Sequence, residues 1–208
     1  MLNEVNAMAT SDVIALPKVR LSFPRLTQPK AFEDGQDERF EATFLLDPSN
    51  KVHREKIKEI KSTAKKIALE HWNGKIPKNI KCNFGMADQD GKEYEGYEGM
   101  FYLATNKKAK DGRPLITNRK KQVVQAGDED FPYGGCFVNA TVSLWTNHHK
   151  KGGPRILVNL RGIMFAGEGE PFSSAAGPKD PDAEFDEFEG DFGDDPTDDD
   201  DFDDDIQF

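Results

Sequence analysis

Apolar and polar positions alternate in several short stretches of this chain, and in one longer stretch they recur at three and four. In Lys18–Phe23 (KVRLSF), Val19, Leu21 and Phe23 share one side. In Arg39–Leu46, Phe40, Ala42, Phe44 and Leu46 do the same. A period of two predicts half-buried strands. Asp47-Pro48-Ser49-Asn50 then supplies a turn and a helix cap. From Lys51 to Trp72 the apolar positions are Ile57, Ile60, Ala64, Ile67, Ala68 and His71. That spacing predicts an amphipathic helix with a Lys-rich outer face, ending near Asn73-Gly74. Met100–Thr105 predicts a third strand, Asn106–Arg113 a basic turn and Pro114–Thr117 a short return strand.

The longest alternation follows. In Gly135–Thr146, Cys136, Val138, Ala140, Val142 and Leu144 fall on one side, and Phe137, Asn139, Thr141, Ser143 and Trp145 on the other. In Arg155–Phe165 the even positions Ile156, Val158, Leu160 and Met164 are apolar, and the odd ones include Arg155, Asn159 and Arg161. Between them lies a basic, Gly-containing loop, NHHKKGGP. This predicts a long antiparallel hairpin with one core face and one polar face. The expected fold class is mainly β with one helix: five or six strands in an antiparallel barrel, closed or partly open. Residues 1–17 are expected to be a flexible arm, 18–165 the folded domain and 166–179 a linker.

Charge changes the picture. Residues 180–208 hold sixteen acidic side chains and no basic one, a formal charge of −16. The whole chain is −10, so residues 1–179 carry +6. A pI of 4.9 hides a basic body followed by an acidic tail. The tail has too little apolar surface to offset chain entropy and is expected to be disordered. About 165 residues remain for a core, enough for one domain. Neither a membrane span nor a secretory leader is expected from the apolar runs. Cys82 and Cys136 form no CxxC and fit a reducing cytoplasm, the expected location.

Catalytic arrangements are weak. His148-His149 sit beside Lys150-Lys151 without a Cys or carboxylate at ligand spacing. Asp88 and Asp90 echo a calcium loop, but its twelfth position is Gly99. GxxxxGK[ST], GxSxG and HExxH are absent. The expectation is a non-enzyme with no metal or cofactor. A metal-dependent nuclease built from scattered carboxylates, and an acidic-tailed chaperone or DNA mimic for basic proteins, are the alternatives.

The binding pattern is stronger. Phe137 and Trp145 share the polar face with Arg155 and Arg161. Aromatic rings stack unpaired bases with little sequence preference, and Lys and Arg neutralise phosphates. Lys150 and Lys151 in the hairpin loop, and Lys107, Lys108, Lys110 and Arg113 in the preceding turn, complete the candidate nucleic-acid set. The tail also carries Phe185, Phe188, Phe192 and Phe202 and stops on Ile206-Gln207-Phe208. A terminal Phe offers a ring and a carboxylate to one Arg- or Lys-rimmed pocket, which marks Asp203, Asp204, Asp205, Ile206 and Phe208 as a candidate partner-binding tip.

Asp201–Phe208 (DFDDDIQF) resembles the C-terminal tip of bacterial single-stranded DNA-binding proteins, DFDDDIPF, with Gln207 in place of the Pro. The body is similar instead to a family of phage single-stranded DNA-binding proteins. The matching stretches are Arg20–Phe32, Ala42–Asp47 and Tyr133–Trp145. The resemblance implies an OB-fold over residues 18–165, binding to single-stranded DNA, and a role in phage DNA replication and recombination in a bacterial host. It does not transfer DNA contacts residue by residue, so the site residues above rest on strand alternation.

Overall fold

A computed structural model of the protein describes residues 8–31, 35–149 and 152–172. Eight strands and one helix follow in chain order: β1 (Ile14–Lys30), β2 (Arg39–Leu46), α1 (Lys51–His71), β3 (Lys81–Cys82), β4 (Phe84–Met86), β5 (Phe101–Lys108), β6 (Leu115–Thr117), β7 (Phe137–His149) and β8 (Gly153–Gly167). β1 pairs antiparallel with both β2 and β7, β2 with β5, and β7 with β8. A parallel bridge between Asn106 of β5 and Asn159 of β8 closes the ring. The order β1-β2-β5-β8-β7 is a five-stranded OB-type barrel. β3 and β6 add to β8 in parallel, and β4 extends the sheet beyond β5. None of these three short strands shows an alternation long enough to predict, apart from the return strand at β6.

β1 is seventeen residues long and serves two neighbours, so it has to bend. It does so at two bulges, one between Leu16 and Val19 and one between Ser22 and Arg25, and its register with β2 shifts again between Arg25 and Lys30. Each bulge holds a proline, Pro17 or Pro24, which has no N–H to give a ladder and belongs where the ladder breaks. Each also holds a non-glycine residue in the left-handed region, Lys18 and Phe23, both at φ 46°. The Lys18 N–H freed by the first bulge donates to Asn139 Oδ1 at 2.8 Å.

The core lies inside the barrel. Leu16, Val19, Leu21, Phe44, Leu46, Leu103, Val138, Val142, Leu144, Val158 and Leu160 are all fully buried. α1 closes one end with Ile57, Ile60, Ala64, Ile67 and Ala68 and packs against β7, β1 and β2. Asn50 caps it, its Oδ1 accepting from the Val52 and His53 N–H groups at 2.9 and 3.2 Å. A smaller cluster of Leu45, Ala87, Tyr97, Tyr102 and Phe172 covers the outer side of β2 and β5.

Three expectations change here. The chain is tied down before Lys18: β1 starts at Ile14, and Thr146 N–H bonds the Ala9 carbonyl at 3.0 Å. It is also held past Phe165. β8 runs to Gly167, Tyr133 Oη donates to the Gly169 carbonyl at 2.9 Å, and Phe172 is buried. Gly135 (φ +105°) permits this return, because a side chain there would strike the Glu170 carbonyl. Third, Met164 is not a core residue. Register passes from Val142–Leu160 to Thr141–Gly162, leaving Arg161 as the extra residue of a bulge. Parity flips beyond it, so Ile163 and Phe165 are buried in place of Met164. The rest of the 1–17 arm and of the 166–179 linker, and all of the tail, lie outside the described residues.

Candidate nucleic-acid interface

Strand pairing builds one polar row across the outside of the barrel. Arg25 of β1 faces Glu41 of β2, Glu41 faces Asn106 of β5, Asn106 faces Asn159 of β8, and Asn159 faces Ser143 of β7. Four inter-strand gaps at ~4.8 Å make this stripe about 19 Å long. Cations flank it on one side, where Lys30 pairs with Arg39 and Arg39 with Lys108. Trp145 stands two residues from Ser143 on the same face of β7. It is half-buried and lines a cleft of about 590 Å³ with Asn106, Lys108, Lys110, Ser143, Asn147 and Asn159.

The charges along the stripe are held in place. Arg25 Nη1 donates to Glu41 Oε2 at 3.1 Å, and Arg39 Nη1 to Asn106 Oδ1 at 3.1 Å. Burial pushes the Glu41 carboxyl above the usual range, with Arg25 and Arg39 opposing it. Asp37, in the β1–β2 connection, accepts from Lys108 Nζ at 2.7 Å and lies 3.5 Å from Lys110 Nζ. The Lys108 hydrogen bond chiefly holds its carboxyl below the usual range.

The sequence-predicted residues divide into groups. Trp145, Lys108 and Lys110 come together in the cleft, and Lys108 belongs to β5 rather than to a turn. Lys107 falls on the opposite side, paired with buried Phe40, and its Nζ donates to the Arg113 carbonyl at 3.2 Å. Arg113 ties this corner to β1 through the Leu26 carbonyl at 3.4 Å. Arg155 pairs with Asn147 near the hairpin tip, its Nε donating to the Gly152 carbonyl at 3.4 Å. Arg161 is exposed at its bulge. Lys150, Lys151 and the tip residues Asp203, Asp204, Asp205, Ile206 and Phe208 lie outside the described residues.

Phe137 is not beside Trp145. Eight residues of β7 separate them, ~26 Å along the strand. Phe137 instead lines a second cleft, of about 720 Å³, with Lys18, Arg20, His53 and Arg119. Lys18 Nζ lies 5.8 Å from its ring centroid. Arg20 is committed to the chain's return, donating to the Gly135 and Glu170 carbonyls at 3.1 and 2.7 Å. The small outer core is built by Tyr97, Tyr102 and Phe172 with Leu45 and Ala87, not by Phe137 or Trp145.

Sequence reasoning missed Arg25, Arg39, Asn106 and Asn159 as a set. Arg39 and Glu41 were visible as the polar side of an alternating strand. Arg25 follows a bulge and left no periodic trace.

Other chemistry is accounted for. Asp88 accepts from the Gly99 N–H at 3.1 Å and Asp90 from Tyr102 Oη at 2.7 Å, so the calcium-like carboxylates close their own loop. Among the described residues no three His, Cys, Asp or Glu side chains cluster as a metal site. Both thiols are free, and burial pushes Cys82 up and Cys136 up to about 11.

A closed OB barrel with a polar, cation-flanked stripe ending on an aromatic defines a nucleic-acid-binding module. The chain belongs to the family of the Enterobacter phage Enc34 single-stranded DNA-binding protein, which it matches over residues 12–202. Protein p50 of Acyrthosiphon pisum secondary endosymbiont phage 1 is 36% identical over 167 residues, 77% of this chain and 86% of that protein. The phage Enc34 protein solved in complex with single-stranded DNA is similar in structure, with a TM-score of 0.67 at 25% identity over 77% of this chain and 89% of that one. The gp2.5 single-stranded DNA-binding protein of bacteriophage T7 shares the fold, with a TM-score of 0.50 at 13% identity over 86% of this chain and 93% of that one. The Enc34 protein is a single-stranded DNA-binding protein, and the chain is a phage protein of that non-enzymatic class.

Proposed function

We propose that the chain coats single-stranded DNA with little regard to sequence, during phage DNA replication and recombination in the host cytoplasm. The observation that carries this is the stripe from Arg25 to Ser143 with Trp145 at its end. Its Asn106 and Asn159 amides bond bases or sugars, Arg25, Arg39, Lys108 and Lys110 neutralise phosphates, and the indole stacks a base. Among the described residues the α-helix is packed against β7, β1 and β2 rather than presented on this face for a duplex groove, which favours single strands. Arg155, Arg161, Lys150, Lys151 and Arg113 extend the cationic surface around the hairpin and the β5–β6 corner. Phe137, with Lys18 and Arg119, contributes a separate contact.

The test is tryptophan fluorescence. Oligo-dT is expected to quench the emission and a matched duplex is not, with the effect weakening as salt rises. Trp145→Phe removes the quenching, and Trp145→Ala, which leaves no ring to stack on, lowers affinity roughly five- to hundredfold, the worth of one stacked base. Quenching that survives in Trp145→Phe would come from Trp72 and would move the DNA off this face.

The tip of the tail serves a second role in this reading. Asp203, Asp204, Asp205, Ile206 and Phe208 recruit replication or recombination proteins through an Arg- or Lys-rimmed apolar pocket. Phe208→Ala is expected to keep oligo-dT affinity and to lose capture of the host's replication proteins. Retained capture would refute the recruiting tip.

A further inference from the structure

Phe23 is placed against its own preferences. A bulky apolar residue, it is 46% exposed, and its backbone sits at φ +46°. That conformation is costly for any residue with a large side chain. It lies in the second β1 bulge, directly before Pro24, where the ladder is broken and the side chain re-aimed. Such strain persists only where the surroundings enforce it, and it gathers at ligand clamps.

The surroundings do enforce it. Tyr97 is buried and its hydroxyl donates to Ser22 Oγ at 3.2 Å, which fixes it over the outer side of β1. Phe23 leans on Tyr97 with ring centres 6.2 Å apart, and Tyr94 meets it edge-on at 5.0 Å and 78°. Among the described residues no ring lies flat on Phe23. Two residues later comes Arg25, the first member of the polar stripe. Phe23 therefore stands at the β1 end of the surface whose β7 end carries Trp145.

We propose that Phe23 is a second base-stacking position for single-stranded DNA, with Tyr94 as its side wall. The proposal rests on the reading of the stripe as the path of the strand. Charge sets the direction of approach. Asp88, Glu93 and Glu98, outnumbering Lys92, line a hollow with Tyr94 and leave it net acidic, which repels phosphates. The sugar-phosphate chain stays on the Arg25 side and a base reaches across to the ring. Two aromatic stops, one on β1 and one on β7, hold the strand taut across all five strands of the barrel.

The test uses the full chain with Phe23→Gly and Phe23→Tyr, and labelled oligo-dT read by anisotropy over a salt series. Glycine relieves the left-handed strain but gives up the ring contacts with Tyr94 and Tyr97, so Phe23→Gly is expected to remain folded and melt within a few degrees of the parent. It is expected to bind roughly five- to hundredfold more weakly. The slope of log affinity against log salt stays the same, because no phosphate contact is removed. Phe23→Tyr binds like the parent. Parental affinity in Phe23→Gly overturns the proposal. So does a shallower salt slope, or a Tyr variant as weak as the Gly variant, since either gives Phe23 a structural role. A parent chain that ignores oligo-dT would sink the proposed function itself, a result distinct from any of these.

Discussion

Glu41 is the one acidic residue in the row that crosses the barrel, and its surroundings disfavour its charge. Burial raises its carboxyl, although Arg25 and Arg39 pull the other way. A raised value in the folded state means that the stabilising side is the acid one. Relative to Glu41→Gln, the parent is expected to lose stability as pH rises through that raised value. Urea melts of both proteins at mildly acid and neutral pH check this, and parallel pH profiles would contradict it. The same charge opposes phosphates within the stripe, so Glu41→Gln is expected to bind oligo-dT more tightly at neutral pH. The gain shrinks as the pH falls and the parent protonates. Residue chemistry was partly legible from alternation, which isolated Trp145 as an outward aromatic. Phe23 was assigned to the core side of its strand with Val19 and Leu21, because a period of two carries no sign of a bulge. Phe137 shows the converse: the right face of the strand, but the wrong end of it to meet Trp145.

Bulges and caps decide more at the scale of elements than propensity does. The β2 alternation and the spacing of α1 located both elements within a residue or so, since each turns one unbroken apolar face to the core. β3 and β4 are two and three residues long and exist only because β8 and β5 offer them edges. β5 runs on through Lys107 and Lys108 because β2 pairs with it as far as Arg39, so residues with turn composition became strand. Asn50 is a separable contribution. Asn50→Ala is expected to cost about 1 kcal/mol of stability with oligo-dT affinity unchanged, measured by thermal melting and anisotropy. The β1–β2 connection works through Asp37, which occupies Lys108 and Lys110. Asp37→Asn frees both lysines for phosphates. Affinity is expected to rise and the salt slope to steepen by about 0.7 to 1.4 units, since each added phosphate contact contributes ~0.7 for single strands. An unchanged slope would mean that the two lysines do not reach the strand.

The whole molecule is divided by charge rather than by packing. Residues 1–179 carry +6 and residues 180–208 carry −16, which makes the tail a polyanion tethered to a body suited to binding another polyanion. Tethering gives the tail a high effective concentration that a free peptide lacks. Competition of this kind is electrostatic, so it is strong where the Debye length is long and fades as salt shortens it. Ending the chain after Lys179 is expected to raise oligo-dT affinity several-fold at low salt and little at moderate salt. The truncated chain then shows the steeper salt dependence, because DNA no longer displaces an internal competitor that salt also weakens. Titrations of both chains at two salt concentrations decide it. Equal affinities at low salt would leave the tail with partner recruitment alone. An advantage for the truncated chain that persisted undiminished at moderate salt would point to a specific apolar contact by the tail's phenylalanines.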